Sequence, residues 1–233
     1  MPNDLSLIRF GRRFAPDDRD KRFSVWQRLA AAPSVATRHY WFSNGWWGDQ
    51  GSTSQCVAYA FLHWLEDGPA KHGGPAPMID PAVLYREAQD LDEWPGHDYD
   101  GTSVRGAAKA LVARGLISDY WWATTVDEVI QTLLQLGPLV VGTNWYSSMM
   151  NVDAKGFVRV GGSLAGGHGY KLDGVNIALE MFRIKNSWGR PWGVHGYAFI
   201  SFADFERLLR EDGEAAIATE VGTLVPEMGT ETP

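Results

Sequence analysis

The chain has 233 residues, 45% of them apolar and 21% charged, enough to bury a core and too apolar for an intrinsically disordered polypeptide. A net charge of −7 lacks the basic footprint of a nucleic-acid binder, and no run approaches the ~20 apolar residues that a membrane span needs. A single cysteine excludes an internal disulfide and a CxxC zinc site.

Residues 1–49 read as an N-terminal strap: charged through APDDRDKRF, then aromatic through HYWFSNGWWGDQG. Trp41, Phe42, Trp46 and Trp47 are expected to be buried, because that much aromatic area is costly to leave in water. No apolar leader region is visible, so a cytoplasmic, reducing compartment is expected, or a phage- or virion-associated one. From Cys56 the pattern turns helical. Val57, Ala60, Phe61, Trp64 and Leu65 recur at helical spacing, Ser52, Thr53 and Ser54 offer capping oxygens, and Gly68-Pro69 is a stop signal.

KHGGPAPMID reads as a loop, and a second helix is expected at about 80–91, followed by the loop DEWPGHDYDG. A third helix runs Thr102 to Arg114. A fourth, TVDEVIQTLLQLG, has Thr125 and Glu128 in capping-box register. After Pro138, PLVVGTNW, GFVRV, GYKLDGVN, MFRIKNSW and GYAFISF read as strands. FADFERLLRED reads as a short helix before a last strand, AAIATEV, and a frayed tail at about 226–233. Helices first and strands second imply an α+β fold of two lobes. The helical lobe is expected at about 50–120 and the β-rich lobe at about 121–225.

Cys56 by itself is either a small buried hydrophobe or a nucleophile. The first turn of a helix lowers a thiol pKa. A nucleophile also needs a histidine, and His168 stands out among the six because it lies between glycines in GGHGY. His63 is two turns along the cysteine's own helix and cannot meet it; His72 and His97 sit in polar loops. Asn186 in RIKNSWGRPWG could orient the imidazole while Trp188 shields that bond. Gln50, six residues ahead of Cys56, could supply an oxyanion donor. Asp98, Asp100 and Glu93 lack the alternation of a calcium loop and read as solvated acids. No metal site and no cofactor is expected.

These residues resemble the papain family of cysteine peptidases, most nearly its bacterial, archaeal and phage members. Gln50 and Cys56 match the family's Gln-and-Cys block, Gly167-His168-Gly169 its histidine strand, and NSWGRPWGVHGY, Asn186 to Tyr197, its most specific element. The similarity extends more weakly over 10–210. The resemblance implies the papain-like two-lobe fold with a cleft between the lobes. It implies a cysteine endopeptidase acting on peptide or protein substrates, with Gln50, Cys56, His168 and Asn186 catalytic. Gly101 and Thr102 would pair with the substrate backbone, Gly169 would line a side-chain pocket together with Gly142, and Trp188 would border the cleft.

The sequence also departs from the family pattern. Thr53 replaces a usual cysteine, Val57 an aromatic, Gln55 a small residue and Gly169 an alanine. The Cys56–His168 interval is short, which implies a trimmed helical lobe. The strap is expected to leave no room for an inhibitory pro-segment. Two other readings stay open: a catalytically silent peptide-binding module, and an acyl transferase or ligase in which an amine intercepts the thioester.

Overall fold

A computed structural model describes residues 5–67 and 79–220; the Gly68-Pro69 stop, most of the following loop with His72, and the 226–233 tail lie outside the described residues. Within them the chain forms five α-helices and one seven-stranded antiparallel sheet. The order is β1 (Arg38–Tyr40), α1 (Cys56–Asp67), α2 (Pro81–Leu91), α3 (Val104–Ala113), β2 (Ile117–Ala123) and α4 (Val126–Gln135). There follow β3 (Leu139–Tyr146), β4 (Leu164–Asn176), β5 (Met181–Lys185), β6 (Tyr197–Ser201), α5 (Phe202–Arg210) and β7 (Glu214–Glu220).

The helices start where the sequence supplies acceptors for unpaired N–H groups. Asp80 caps α2, Ser103 caps α3, and Thr125 with Glu128 closes the full capping box of α4. The start of α1 differs from expectation: Ser54 Oγ is buried without a hydrogen-bond partner, so none of its bonds caps the helix. This helix is buried nearly all round, as its apolar sequence demands. Burying Phe61, Trp64 and Leu65 stabilises the fold by about 1.5–3 kcal/mol for each.

The sheet runs β2-β7-β3-β4-β5-β6, with β1 on β4. The long β4 pairs through its first half with β3, Val141 facing Tyr170 and Thr143 facing His168. Its second half pairs with β5 across a register shift near Gly174. His168 therefore lies inside a strand rather than at its start.

Two expectations about strands are corrected. GFVRV forms only an isolated parallel bridge, Phe157 to Phe199, on β6 at the end of the strand order. ISDYWWA, read as no element, is β2 and pairs with β7.

Two apolar cores result. One packs α1, α2 and α3 around Phe61, Trp64, Leu84 and Leu111 against Trp122, Val140 and Ala216. The other fills the sheet with Trp145, Tyr170, Phe182, Trp188 and Phe205. Cys56 belongs to the first and Trp188 to the second, so the seam between the cores passes between the predicted site residues. Trp64 Nε1 donates to Pro138 O at 3.0 Å and pins α1 to the head of β3.

The strap is not simply a surface ribbon. Residues 18–23 and 25–27 form 3-10 turns, and Gly11, Arg12 and Val25 are buried. Of the aromatic group, Phe42 is half exposed and Trp41, Trp46 and Trp47 are only partly covered. Their rings stack on neighbours instead, Trp41 on His39 and Trp46 on Tyr59.

Candidate active site

Cys56 opens α1 and is fully buried. Its Sγ accepts from Gly169 N at 3.3 Å, which puts the sulfur beside the residue that follows His168. The approach is tight. A Cβ on Gly169 would lie 3.0 Å from Val57 Cα, so the glycine lets α1 close on β4.

His168 is also fully buried. Its Nε2 lies 2.8 Å from Asn186 Oδ1, which also accepts from Ser187 N at 2.8 Å. An amide oxygen can only accept, so Nε2 carries the ring proton and Nδ1 keeps its lone pair. Trp188 packs on the imidazole at 5.0 Å between ring centres, and Trp145 meets it edge-on at 4.8 Å. The same short run fixes Gln50. Ser187 Oγ donates to Gln50 Oε1 at 2.7 Å and Gln50 N donates to Ser187 O at 2.8 Å. Ser187 was not singled out from the sequence; its place inside the NSWG run was the available signal. A continuous set of bonds thus joins Gln50, Ser187, Asn186 and His168, with Cys56 bonded to the next residue along β4.

The amide nitrogen of Gln50 points at a carbonyl of the strap: Nε2 donates to Arg9 O at 2.9 Å and to Thr53 O at 2.8 Å. The strap continues across the site. Arg12 N donates to Gly167 O at 2.8 Å on one side. On the other, Thr102 N donates to Gly11 O at 2.8 Å and Arg13 N to Thr102 O at 2.9 Å. Gly101 has φ +92°, and a Cβ there would lie 2.3 Å from Gly11 O, so only glycine allows the strap this close.

Phe10 covers His168 at 5.8 Å and Trp188 at 6.3 Å between ring centres. Arg13 stacks on Trp94 at 4.1 Å and on Tyr99 at 4.4 Å. Residues 9–13 therefore bond to both walls of the seam; Thr102 pairs with the backbone of the chain's own strap, whereas Gly101 N donates to Tyr85 Oη at 2.8 Å and Gly101 O accepts from Gln89 Nε2 at 3.1 Å. The sequence was expected to leave no room for an inhibitory pro-segment; a stretch of five residues ahead of Gln50 nevertheless crosses the seam. Nothing in FGRRF announced it, because both of its partners lie about 90 or more residues away.

Electrostatics follow from this covering. Burial pushes the Cys56 thiol up, against hydrogen bonds from Gly169 and Gly11 that favour the thiolate. Burial holds His168 down at about 4, with Asn186 pulling the other way. With the strap in place the site holds a neutral thiol and a neutral imidazole. His63, which the helix spacing separates from Cys56, accepts from Gly48 N at 3.1 Å and serves the packing there. His97 is exposed and pairs with Asp90 at 2.7 Å. Among the described residues no group of three His, Cys, Asp or Glu is placed to hold a metal ion.

The fold is papain-like, and it draws Gln50, Cys56, His168 and Asn186 to the seam between the two cores. No family model matches the chain. Among curated proteins it is 26% identical over 200 residues to cathepsin B-like cysteine proteinase 6 of Caenorhabditis elegans, covering 84% of this chain and 48% of that protein. It is 35% identical over 193 residues to an uncharacterized peptidase C1-like protein of Acanthamoeba polyphaga mimivirus, covering 64% of this chain and 62% of the other. The chain thus spans about half to three-fifths of the length of these relatives. Among solved structures, xylellain, a cysteine protease from Xylella fastidiosa, superposes with a TM-score of 0.68 at 18% identity, over 92% of this chain and 97% of that one. Digestive procathepsin L 3 of Tenebrio molitor superposes with a TM-score of 0.66 at 14% identity, over 92% and 77%.

Proposed function

We propose that the protein is a cysteine-type peptidase that cleaves peptide or protein substrates through a thioester on Cys56. The observation that carries this reading is the bonded set Gln50–Ser187–Asn186–His168 ending beside the Cys56 sulfur. In this reading the strap leaves the seam, water enters, and the thiol gives its proton to the free Nδ1 lone pair of His168. The Cys56 thiolate attacks the substrate carbonyl carbon. Gln50 Nε2, released from Arg9 O, donates to the developing oxyanion. His168 returns the proton to the leaving amine as the C–N bond breaks, then takes one from the water that cleaves the thioester. Asn186 holds the tautomer that makes both transfers possible. Gly101 and Thr102 receive the substrate backbone as an added strand, and Trp188 backs the imidazole. The helical lobe, about 50–120, and the β-rich lobe, about 121–225, then form the two walls. A reducing, cytoplasmic setting goes with this reading, because the nucleophile must stay a free thiol.

The test is cleavage of a peptide library by the reduced full chain and by an Arg13→Ala chain with a loosened strap, each with and without Cys56→Ala. Cleavage and labelling by a thiol-directed epoxide should vanish with Cys56→Ala while circular dichroism is unchanged. Equal cleavage with and without the cysteine, or none by any chain, overturns the assignment. Gln50→Ala should lower turnover by about 10²–10³-fold.

A further inference from the structure

Gln50, Cys56, His168 and Asn186 stand on four separate pieces of chain, and one buried side chain far from the sulfur bonds to three of those pieces from its own place on the fourth. Asp67 ends the twelve-residue helix α1 that Cys56 opens, about 17 Å away along the axis. Its Oδ2 accepts from Lys185 Nζ at 2.7 Å and from Lys171 Nζ, and its Oδ1 accepts from Asn44 N at 3.0 Å. Lys171 follows His168 on β4. Lys185 ends β5, and Asn186 is the next residue. Asn44 lies on the stretch that leads to Gln50. One turn back on α1, His63 Nε2 catches the same stretch by accepting from Gly48 N at 3.1 Å.

Asp67, Lys171 and Lys185 are all fully buried. Lys171 Nζ also donates to His63 O at 3.4 Å, and Lys185 Nζ to Ser43 Oγ at 2.8 Å. Burial pushes the Asp67 carboxyl up, but Lys171 and then Lys185 pull it below its ordinary value, so it stays ionised. The cysteine end of α1 is held differently. Cys56 Sγ accepts from Gly169 N at 3.3 Å and also from Gly11 of the strap, and Gln50 Nε2 donates to Arg9 O. The bonds from Gly11 and Arg9 are lost when residues 9–13 leave the seam, whereas every partner of Asp67 lies outside that stretch. A helix tethered at its far end acts as a lever. A small tilt there moves the sulfur, and a misplacement of about 1 Å costs about 10²-fold in rate.

We propose that Asp67 is a positioning residue of the catalytic set: by gathering the segments that carry Gln50, Cys56, His168 and Asn186 onto one carboxylate, it sets where the Cys56 sulfur stands relative to His168 once the strap has left. The role rests on the peptidase reading and acts through placement, because the bonds of Asp67 run to neighbours of the four residues rather than to the four themselves.

The experiment takes the full chain with Arg13→Ala, whose strap is loosened, as parent and follows Cys56 alkylation by iodoacetamide against pH. A thiol paired with His168 ionises well below the free-cysteine value of about 8.5, so the parent midpoint should lie in the acid range. Asp67→Asn in this parent should raise the midpoint by about one pH unit or more. It should lower kcat on a peptide substrate by about 10²-fold with KM within about twofold. Because Asp67→Asn also strands two ammonium groups, a second variant combines it with Lys171→Met. Removing one stranded charge should return part of the lost Tm while the midpoint stays high, whereas a purely structural role would restore both together. A midpoint equal to the parent's in either variant overturns the proposal. A parent midpoint near 8.5 is a different failure: it overturns the peptidase reading, and the positioning role with it.

Discussion

At the residue scale, His168 couples the closed site to pH. Its ring sits near 4 in the folded, strap-covered state because burial penalises the imidazolium, while an exposed histidine titrates near 6.5. Between those values the unfolded chain binds a proton that the folded chain refuses, so acid favours unfolding there. The stability is fully present above pH 6.5 and is lost as pH falls toward 4, by roughly 3 kcal/mol in all. Parallel thermal melts should therefore show the wild type losing Tm relative to His168→Gln across that window. Melting curves that stay a constant distance apart would remove the burial argument. That Cys56, His168 and Asn186 gather at one place was readable because each stands in a short local pattern. The buried Arg12–Glu214 ion pair was not, because a carboxylate opening an apolar strand means nothing until Arg12, about 200 residues earlier in the chain, arrives beside it.

At the element scale, residues 9–13 are held by three backbone–backbone bonds and by the side chains of Phe10, Arg12 and Arg13. Arg13 is one of the side chains, stacked on Trp94 and Tyr99. Such contacts contribute about 0.5–2 kcal/mol each, so Arg13→Ala should speed alkylation of Cys56 several-fold. Amide exchange should rise at residues 11–13 and stay constant in β4. An alkylation rate equal to wild type would show that the backbone bonds alone keep the strap seated.

The helices α2, α3 and α4 were legible to within two or three residues, because Asp80, Ser103 and Thr125 announce their own ends. Thr125→Ala should cost about 1 kcal/mol in denaturant unfolding through loss of that cap. Strands were less legible. β2 carries Asp119 inside an aromatic run and finds its partner β7 nearly a hundred residues on. GFVRV has the composition of a strand but meets β6 only in a single bridge at Phe157. Pairing is a property of two segments, and one segment alone does not record it.

At the scale of the molecule, the two cores are stapled by buried charge. The C-terminal end of α1 presents Asp67 to Lys171 of β4 and, at 2.7 Å, to Lys185 of β5, all three fully buried. Asp173 joins from the same strand and is bonded by Arg183 at 2.7 Å. An acid at a helix C-terminus opposes the helix dipole; here two lysines from the sheet reverse that cost. Asp67→Ala leaves two buried ammonium groups with a lost partner and should destabilise the fold by about 3–5 kcal/mol in urea unfolding. A loss below 1 kcal/mol would mean that water already reaches the pair. Asp67, Lys171 and Lys185 were not singled out from the sequence, where more than 100 residues separate the acid from either lysine.

Because residues 9–13 are tethered to the walls they cover, their hold on the seam does not weaken on dilution. A short tether corresponds to an effective concentration in the millimolar range. A diffusing peptide must outcompete that figure, whatever the amount of protein present. Onset of thiol reactivity should accordingly follow first-order kinetics, with a half-time identical at nanomolar and micromolar protein.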